Sequence, residues 1–146
     1  MTDDFALAVD YKATGLQINN GVGDWNASVV RTQSGTTRTL NVTTDWKGYT
    51  ADNKATSREG GYVATIDAAA KCLGLAGSWT TRIGLVAWDT DVADFNVCQG
   101  ECPADGGVVT WSAGVRQTTL SYDGSDVALW SNEKGNSGTV NLACGQ

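Results

Sequence analysis

The feature that most constrains this chain is an alternation of period two, broken at short intervals by glycine and asparagine. It is clearest in Thr81 to Asp89, where Ile83, Leu85 and Ala87 fall on one face of a strand and Arg82, Gly84, Val86 and Trp88 on the other. The same period runs through Phe5, Leu7, Val9 and Tyr11, followed by a turn at Ala13-Thr14-Gly15, a short Leu16 to Ile18 strand and a break at Asn19-Asn20-Gly21. Glycine, threonine, valine and asparagine are abundant, with one proline and no histidine among 146 residues. That bias favours strands and turns. The expectation is one all-β domain over residues 1–146, an antiparallel β-sandwich of jelly-roll or immunoglobulin-like type.

Face assignments follow from counting along each strand. Asp24 to Thr32 and Thr37 to Trp46 read as a hairpin around Ser34-Gly35, which pairs Val29 with Leu40, Ala27 with Val42 and Trp25 with Thr44 on an apolar core face. Trp46 is in phase with that face. Lys47 to Gly61 is polar and turn-rich and reads as a long loop. Tyr62 to Ile66 is a strand, and Asp67 to Leu73 is a short helix capped by Asp67 or a continuation of that strand. Trp79 to Asp89 reads as one central strand with Trp79 in phase with Ile83, inward, and Trp88 outward. A strand buried on both sides would instead make Trp88 core. Val108 to Tyr122 and Val127 to Ser131 form a last hairpin around Asp123-Gly124, with Trp130 outward, Trp111 in the core and a bulge near Gly114. Val140, Leu142 and Cys144 close the chain.

Charge and residue types narrow the chemistry. A net charge of −6 with scattered basic residues opposes a nucleic-acid or anionic-membrane partner. No apolar run reaches the length of a membrane span, and Met-Thr-Asp-Asp is not a secretory signal, so an exported protein would carry its signal upstream or have lost it. Without histidine there is no Ser-His-Asp or Cys-His arrangement and no imidazole-bound zinc. Cys72, Cys98, Cys102 and Cys144 are an even set, which predicts two disulfides and a secreted, extracellular protein. Of the three pairings, Cys98 with Cys102 and Cys72 with Cys144 is favoured, the first across a short glycine-containing loop and the second by elimination.

Asp89, Asp91, Asp94 and Asn96 offer hard oxygen ligands suited to a structural calcium, though without EF-hand spacing; a hydrated acidic loop is the plainer reading. Asn26-Ala27-Ser28 and Asn41-Val42-Thr43 match the N-glycosylation pattern. Six tryptophans exceed what a sandwich core of this size needs. A rigid exposed indole stacks on the apolar face of a pyranose ring while neighbouring side chains bond its hydroxyls. Trp88 and Trp130 are the expected outward pair, with Gln117, Thr119, Asp89 and Arg82 as hydrogen-bonding neighbours and Trp79 or Trp25 extending the platform.

The Thr-, Gly- and Asn-rich strands, the outward Trp88 and Trp130, the few charges and the paired cysteines resemble the β-sandwich carbohydrate-binding modules appended to secreted bacterial glycoside hydrolases, those of endoglucanases in particular. The resemblance spans the chain. It implies a non-catalytic module, often with structural calcium, that holds an attached catalytic domain on plant cell-wall polysaccharide, with β-1,4-linked glucans such as cellulose chains or xyloglucan as ligand. An adhesin or immunoglobulin-like interaction module and a small glycosidase are the alternatives.

Overall fold

The computed structural model describes residues 5–18 and 21–144. Ten strands run up and down in a single antiparallel sheet: β1 (Phe5–Ile18), β2 (Gly21–Ser34), β3 (Thr37–Tyr49), β4 (Ala55–Asp67), β5 (Cys72–Ile83), β6 (Val86–Cys98), β7 (Val108–Ala113), β8 (Arg116–Tyr122), β9 (Val127–Asn132) and β10 (Ser137–Asn141). Their order in space is their order in sequence. The all-β expectation is met, but the sandwich is replaced by one open sheet whose edges, β1 and β10, do not pair with each other.

Short turns make this meander. Gly35-Thr36, Gly84-Leu85 and Gly114-Val115 are two-residue loops, each opening with a glycine at φ 58°, 59° and 60°. Glycine reaches this left-handed region without steric cost. The second loop cuts the expected Trp79 to Asp89 strand in two, and the third stands where a bulge was expected. The long loop expected from Lys47 to Gly61 is strand apart from 50–54, a turn closed by Thr50 N–H donating to the Lys54 carbonyl. Gly60 and Gly61 lie inside β4. A Cβ on Gly60 would meet Trp79 Cα at 2.5 Å, so glycine there lets β4 and β5 pass closely rather than breaking the strand. The segment after Asp67 is a turn, not a helix, yet Asp67 does cap it, its Oδ1 accepting from the Ala69 and Ala70 N–H groups. The β2–β3 register is two residues off the expected one: Trp25 faces Trp46, and Val29 faces Val42. The turn expected at Asn19-Asn20 lies outside the described residues.

Both disulfides form, with a different connectivity. Cys72 and Cys98 are direct partners across β5 and β6, and they are bonded to each other. Cys102 bonds Cys144, tying the β6–β7 connection to the segment after β10. Adjacency in the sheet overrode the short Cys98 to Cys102 spacing. In the loop-closure picture, spans of 26 and 42 residues correspond to about 3.5 and about 4 kcal/mol. The pair is compatible with an oxidising compartment.

The buried side chains are small. Ala27, Val42, Ala64, Thr90, Val92 and Ala128 are buried, and no large side chain is fully enclosed among the described residues. The accessible surface of 9491 Å² compares with about 7,100 Å² for a compact monomer of this mass. Among the described residues strands contact only their neighbours in the one sheet, so neither broad face has a second layer over it.

Candidate functional site

Directly opposed residues in an antiparallel sheet project to the same side. Traced from strand to strand, the pairing puts all six tryptophans on one face: Trp25 opposite Trp46, Trp79 opposite Thr90, Trp88 opposite Thr81, Trp111 opposite Thr90 and Trp130 opposite Leu120. All six buried residues named above share it. None of the tryptophans is buried; Trp111 is exposed and the others half-buried.

The expected division into inward and outward tryptophans is therefore corrected. A two-residue loop makes residue i face residue i+3, so an odd-numbered face before Gly84-Leu85 continues as an even-numbered face after it. Ile83 faces Val86, and Trp88 joins Trp79 instead of opposing it. The Gly114-Val115 loop does the same for Trp111 and Leu120, through Ala113 facing Arg116. Tyr122 faces Ala128 across an odd-length connection, so Trp130 shares the face of Leu120 while Leu129 points the other way.

Three rows cross this aromatic face. One reads Val9, Val29, Val42, Tyr62, Gly77, Val92, Val109, Leu120, Trp130, Gly138 and is nearly all apolar. The next reads Tyr11, Ala27, Thr44, Gly60, Trp79, Thr90, Trp111, Thr118, Asn132. The third reads Trp25, Trp46, Arg58, Thr81, Trp88 and continues on β7 and β8 with Ala113 and Arg116. The last two together form a mixed track of indoles, hydroxyls and guanidinium groups, set beside the apolar row.

Glycines shape the track. A Cβ on Gly23 would meet the Trp46 ring at 2.5 Å, so the indole lies over bare backbone. In the apolar row beside the track, Trp130 covers Gly138 in the same way, at 2.7 Å from the would-be Cβ. Trp25, Thr44, Trp46, Arg58, Gly60, Tyr62 and Trp79 line an open hollow of about 520 Å³. Within it the Arg58 guanidinium lies 4.7 Å from the Trp79 ring centroid, in the range of a cation–π contact. Tyr11 packs on Trp25 with ring centroids 5.2 Å apart. A smaller hollow of about 180 Å³ is lined by Trp88, Trp111, Ala113, Arg116 and Thr118 together with Ser112 and Gln117.

Of the residues expected to bind, Trp25, Trp79, Trp88 and Trp130 share the aromatic face. Arg82, Asp89, Gln117 and Thr119 pair on the other one, so they are replaced as polar neighbours by Arg58, Thr44, Thr81, Thr118 and Arg116. Trp46 and Trp111, read as core or rim, belong to the track. The signal that would have found them is the repeated glycine-first loop. At its second position Leu85 is 105% exposed and Val115 92%, as tips rather than strand interiors.

Charge is segregated between the faces. In the paired strands, Asp10, Asp24, Asp45, Glu59, Asp67, Asp89 and Asp91 all project to the polar face, and among the described residues no carboxylate occupies a paired position of the aromatic face. Its charged residues are Arg31, Arg38, Arg58 and Arg116. Among the described residues the ion pairs are Lys47 with Asp45 and Lys54 with Asp52, so none of the four arginines is neutralised there. Carboxyl groups held below their usual range do structural work near turns. The Lys54 ammonium and then the Thr50 hydroxyl bring Asp52 down to about 2. Backbone N–H groups of Ala70 and Ala69 lower Asp67, Ser125 lowers Asp123, and the Gln117 N–H lowers Glu133.

The possible calcium ligands do not converge. Asp89 and Asp91 project from the polar face of β6, where Asp89 accepts from the Thr80 hydroxyl; Asp94 sits in the β6 irregularity at φ 50°, and Asn96 lies beyond it. Among the described residues no group of three or more acidic or cysteine side chains is placed to hold a metal ion. Compared with known proteins, the chain matches no family model, no curated protein and no solved structure.

Proposed function

We propose that this protein is a non-catalytic polysaccharide binder whose ligand lies along the aromatic track, across the strands. The observation that carries the reading is the placement of six partly exposed indoles on one face, interleaved with threonine hydroxyls. Trp46, Trp79 and Trp111 stand on alternate strands, about 9.6 Å apart laterally at the usual strand spacing. That is close to the length of one disaccharide in an extended β-1,4-linked chain, whose equatorial substituents leave flat ring faces free to stack. Such a ligand is cell-wall glucan in character, and the disulfides suit a secreted protein that works outside the cell, with an attached catalytic domain as a fitting partner. A glycosidase would need two carboxyl groups flanking the bond it cleaves, whereas among the described residues the paired positions of this face bear arginine as their only charged residue type.

The test is affinity electrophoresis on soluble β-glucans combined with tryptophan fluorescence. Added β-1,4-linked oligosaccharide is expected to shift the emission, and Trp79→Ala is expected to abolish the shift, with less effect on folding than on binding. A β-glucan panel that leaves both migration and emission unchanged overturns the reading. The apolar row beside the track favours an interaction module as the second reading; its ligand would be a protein, and sugars would leave the emission where it was.

A further inference from the structure

The geometry points to an acidic β-linked glycan, one bearing uronate carboxylates, as the ligand of the track, with Arg58 and Arg116 as its anion-binding side chains. This rests on the polysaccharide reading and adds the ligand's charge to it. In a chain of net charge −6, four of the residues on the aromatic face are arginines, none is a lysine, and no carboxylate shares the paired positions of that face. Such sorting does not follow from solubility, for which either sign on either face would serve. Arg58 and Arg116 are exposed, and neither has a described ion-pair partner. Each sits beside indoles: Arg58 faces Trp46 and lies over Trp79, and Arg116 borders the hollow of Trp88 and Trp111.

A guanidinium presents a planar fork of donors that matches a carboxylate bidentately, and stacking on an indole limits the orientations it must lose on binding. An equatorial carboxylate on a pyranose ring stacked at Trp46 projects from the ring's rim, and Arg58 faces Trp46 from the adjacent strand. Thr44, Thr81 and Thr118 then meet the hydroxyls. The two arginines stand four strands apart, about 19 Å laterally, which suits widely spaced carboxylates. A single-stranded nucleic acid also stacks on aromatic side chains, but it carries a phosphate at every residue and calls for a continuous basic groove. Two arginines on a net-acidic protein do not make one.

The experiment is titration calorimetry with a matched pair of ligands, cellohexaose and the same hexasaccharide oxidised to the carboxylate at C6. At low ionic strength the oxidised chain is expected to bind about tenfold more tightly, as one charge-assisted contact predicts, and the advantage shrinks as salt is added. Arg58→Gln removes most of that advantage, Arg116→Gln removes part of it, and Arg82→Gln, on the opposite face, leaves it intact. Unchanged melting temperatures certify that the variants are folded. Equal affinity for the two chains overturns the inference and leaves the polysaccharide reading standing. Binding of neither chain overturns both. An oligothymidylate that binds more tightly than the oxidised hexasaccharide also overturns the inference and makes nucleic acid the ligand.

Discussion

The two faces of the sheet share one backbone and one set of turns, yet they are built for different surroundings. Among the described residues, one carries the six tryptophans, the buried alanines and valines, several threonines, and arginine as the sole charged type of its paired positions; the other carries further threonines, serine, asparagine and the acidic residues of the paired strands. Adjacent residues on one strand show the contrast at its sharpest: Ala128 is 0% exposed and Leu129 is 48% exposed. A leucine left in water beside an enclosed alanine shows that side-chain direction, not hydrophobicity, decides burial in a single-layer sheet. Enclosure on the aromatic face comes from neighbouring rows of large side chains, because among the described residues no second layer covers it.

The most demanding test of that contrast places the same carboxylate on each side. Ala128→Asp puts a charge where side chains have excluded water and is expected to cost about 3 kcal/mol or more. Leu129→Asp, one residue on, is expected to cost about 1 kcal/mol, the span of strand propensity. Urea midpoints at constant m-value measure both. Equal losses would mean that both faces are covered.

Glycine provides a finer comparison. Gly138→Ala drives a methyl group into the Trp130 indole, 2.7 Å away, and is expected to destabilise by about 1 to 3 kcal/mol. Gly74 lies on the polar face, where the nearest atom to a new Cβ is 3.7 Å away. Gly74→Ala is therefore expected to be neutral or to stabilise by about 0.5 kcal/mol, by restricting the unfolded chain. Thermal melts of the two variants should move in opposite directions or differ clearly in size.

Acid sensitivity is the smallest expected difference. Asp52, Asp67, Asp123 and Glu133 all have lowered folded-state pKa values. Their contributions are present above the unfolded carboxylate range, near about 4, and are lost as pH falls through the folded values, reaching about 2 for Asp52. All four are solvent-exposed, so the effect is modest. Asp67→Asn keeps an oxygen acceptor for the Ala69 and Ala70 N–H groups but removes the titrating proton. It is expected to flatten the acid limb of a stability–pH profile with little change at neutral pH. A variant on the aromatic face, such as Trp79→Ala, leaves that limb's shape unaltered.

Much of the local structure was legible. The alternation locates most strands but leaves Lys47 to Gly61 as a loop where β3 and β4 continue; Val29 and Val42 fall on the correct face despite a two-residue error in register, and Asp67 is the cap it was expected to be. The cysteines were read as two disulfides, but their partners were not legible, because Cys72 meets Cys98 only once β5 and β6 have folded back on each other. Trp88 and Trp130 are turned away from Trp79 in the sequence reading for two different reasons. Leu85 is apolar, so Gly84-Leu85 reads as strand interior and face counting runs across a turn that resets it, whereas Trp130 depends on the β8–β9 connection, which is odd in length rather than the even turn that Asp123-Gly124 implies. Arg82 follows the first error and Gln117 and Thr119 the second, while Asp89, next to Trp88 in the strand, projects to the opposite face.

The amino-acid sequence by itself determined that the strands are two-sided, because consecutive side chains on an extended backbone must point in opposite directions. Only the tertiary structure decided which sides of different strands lie together. That depends on the number of residues in each loop and on the hydrogen-bond register across it, and a change of one residue in either turns every following side chain to the opposite surface.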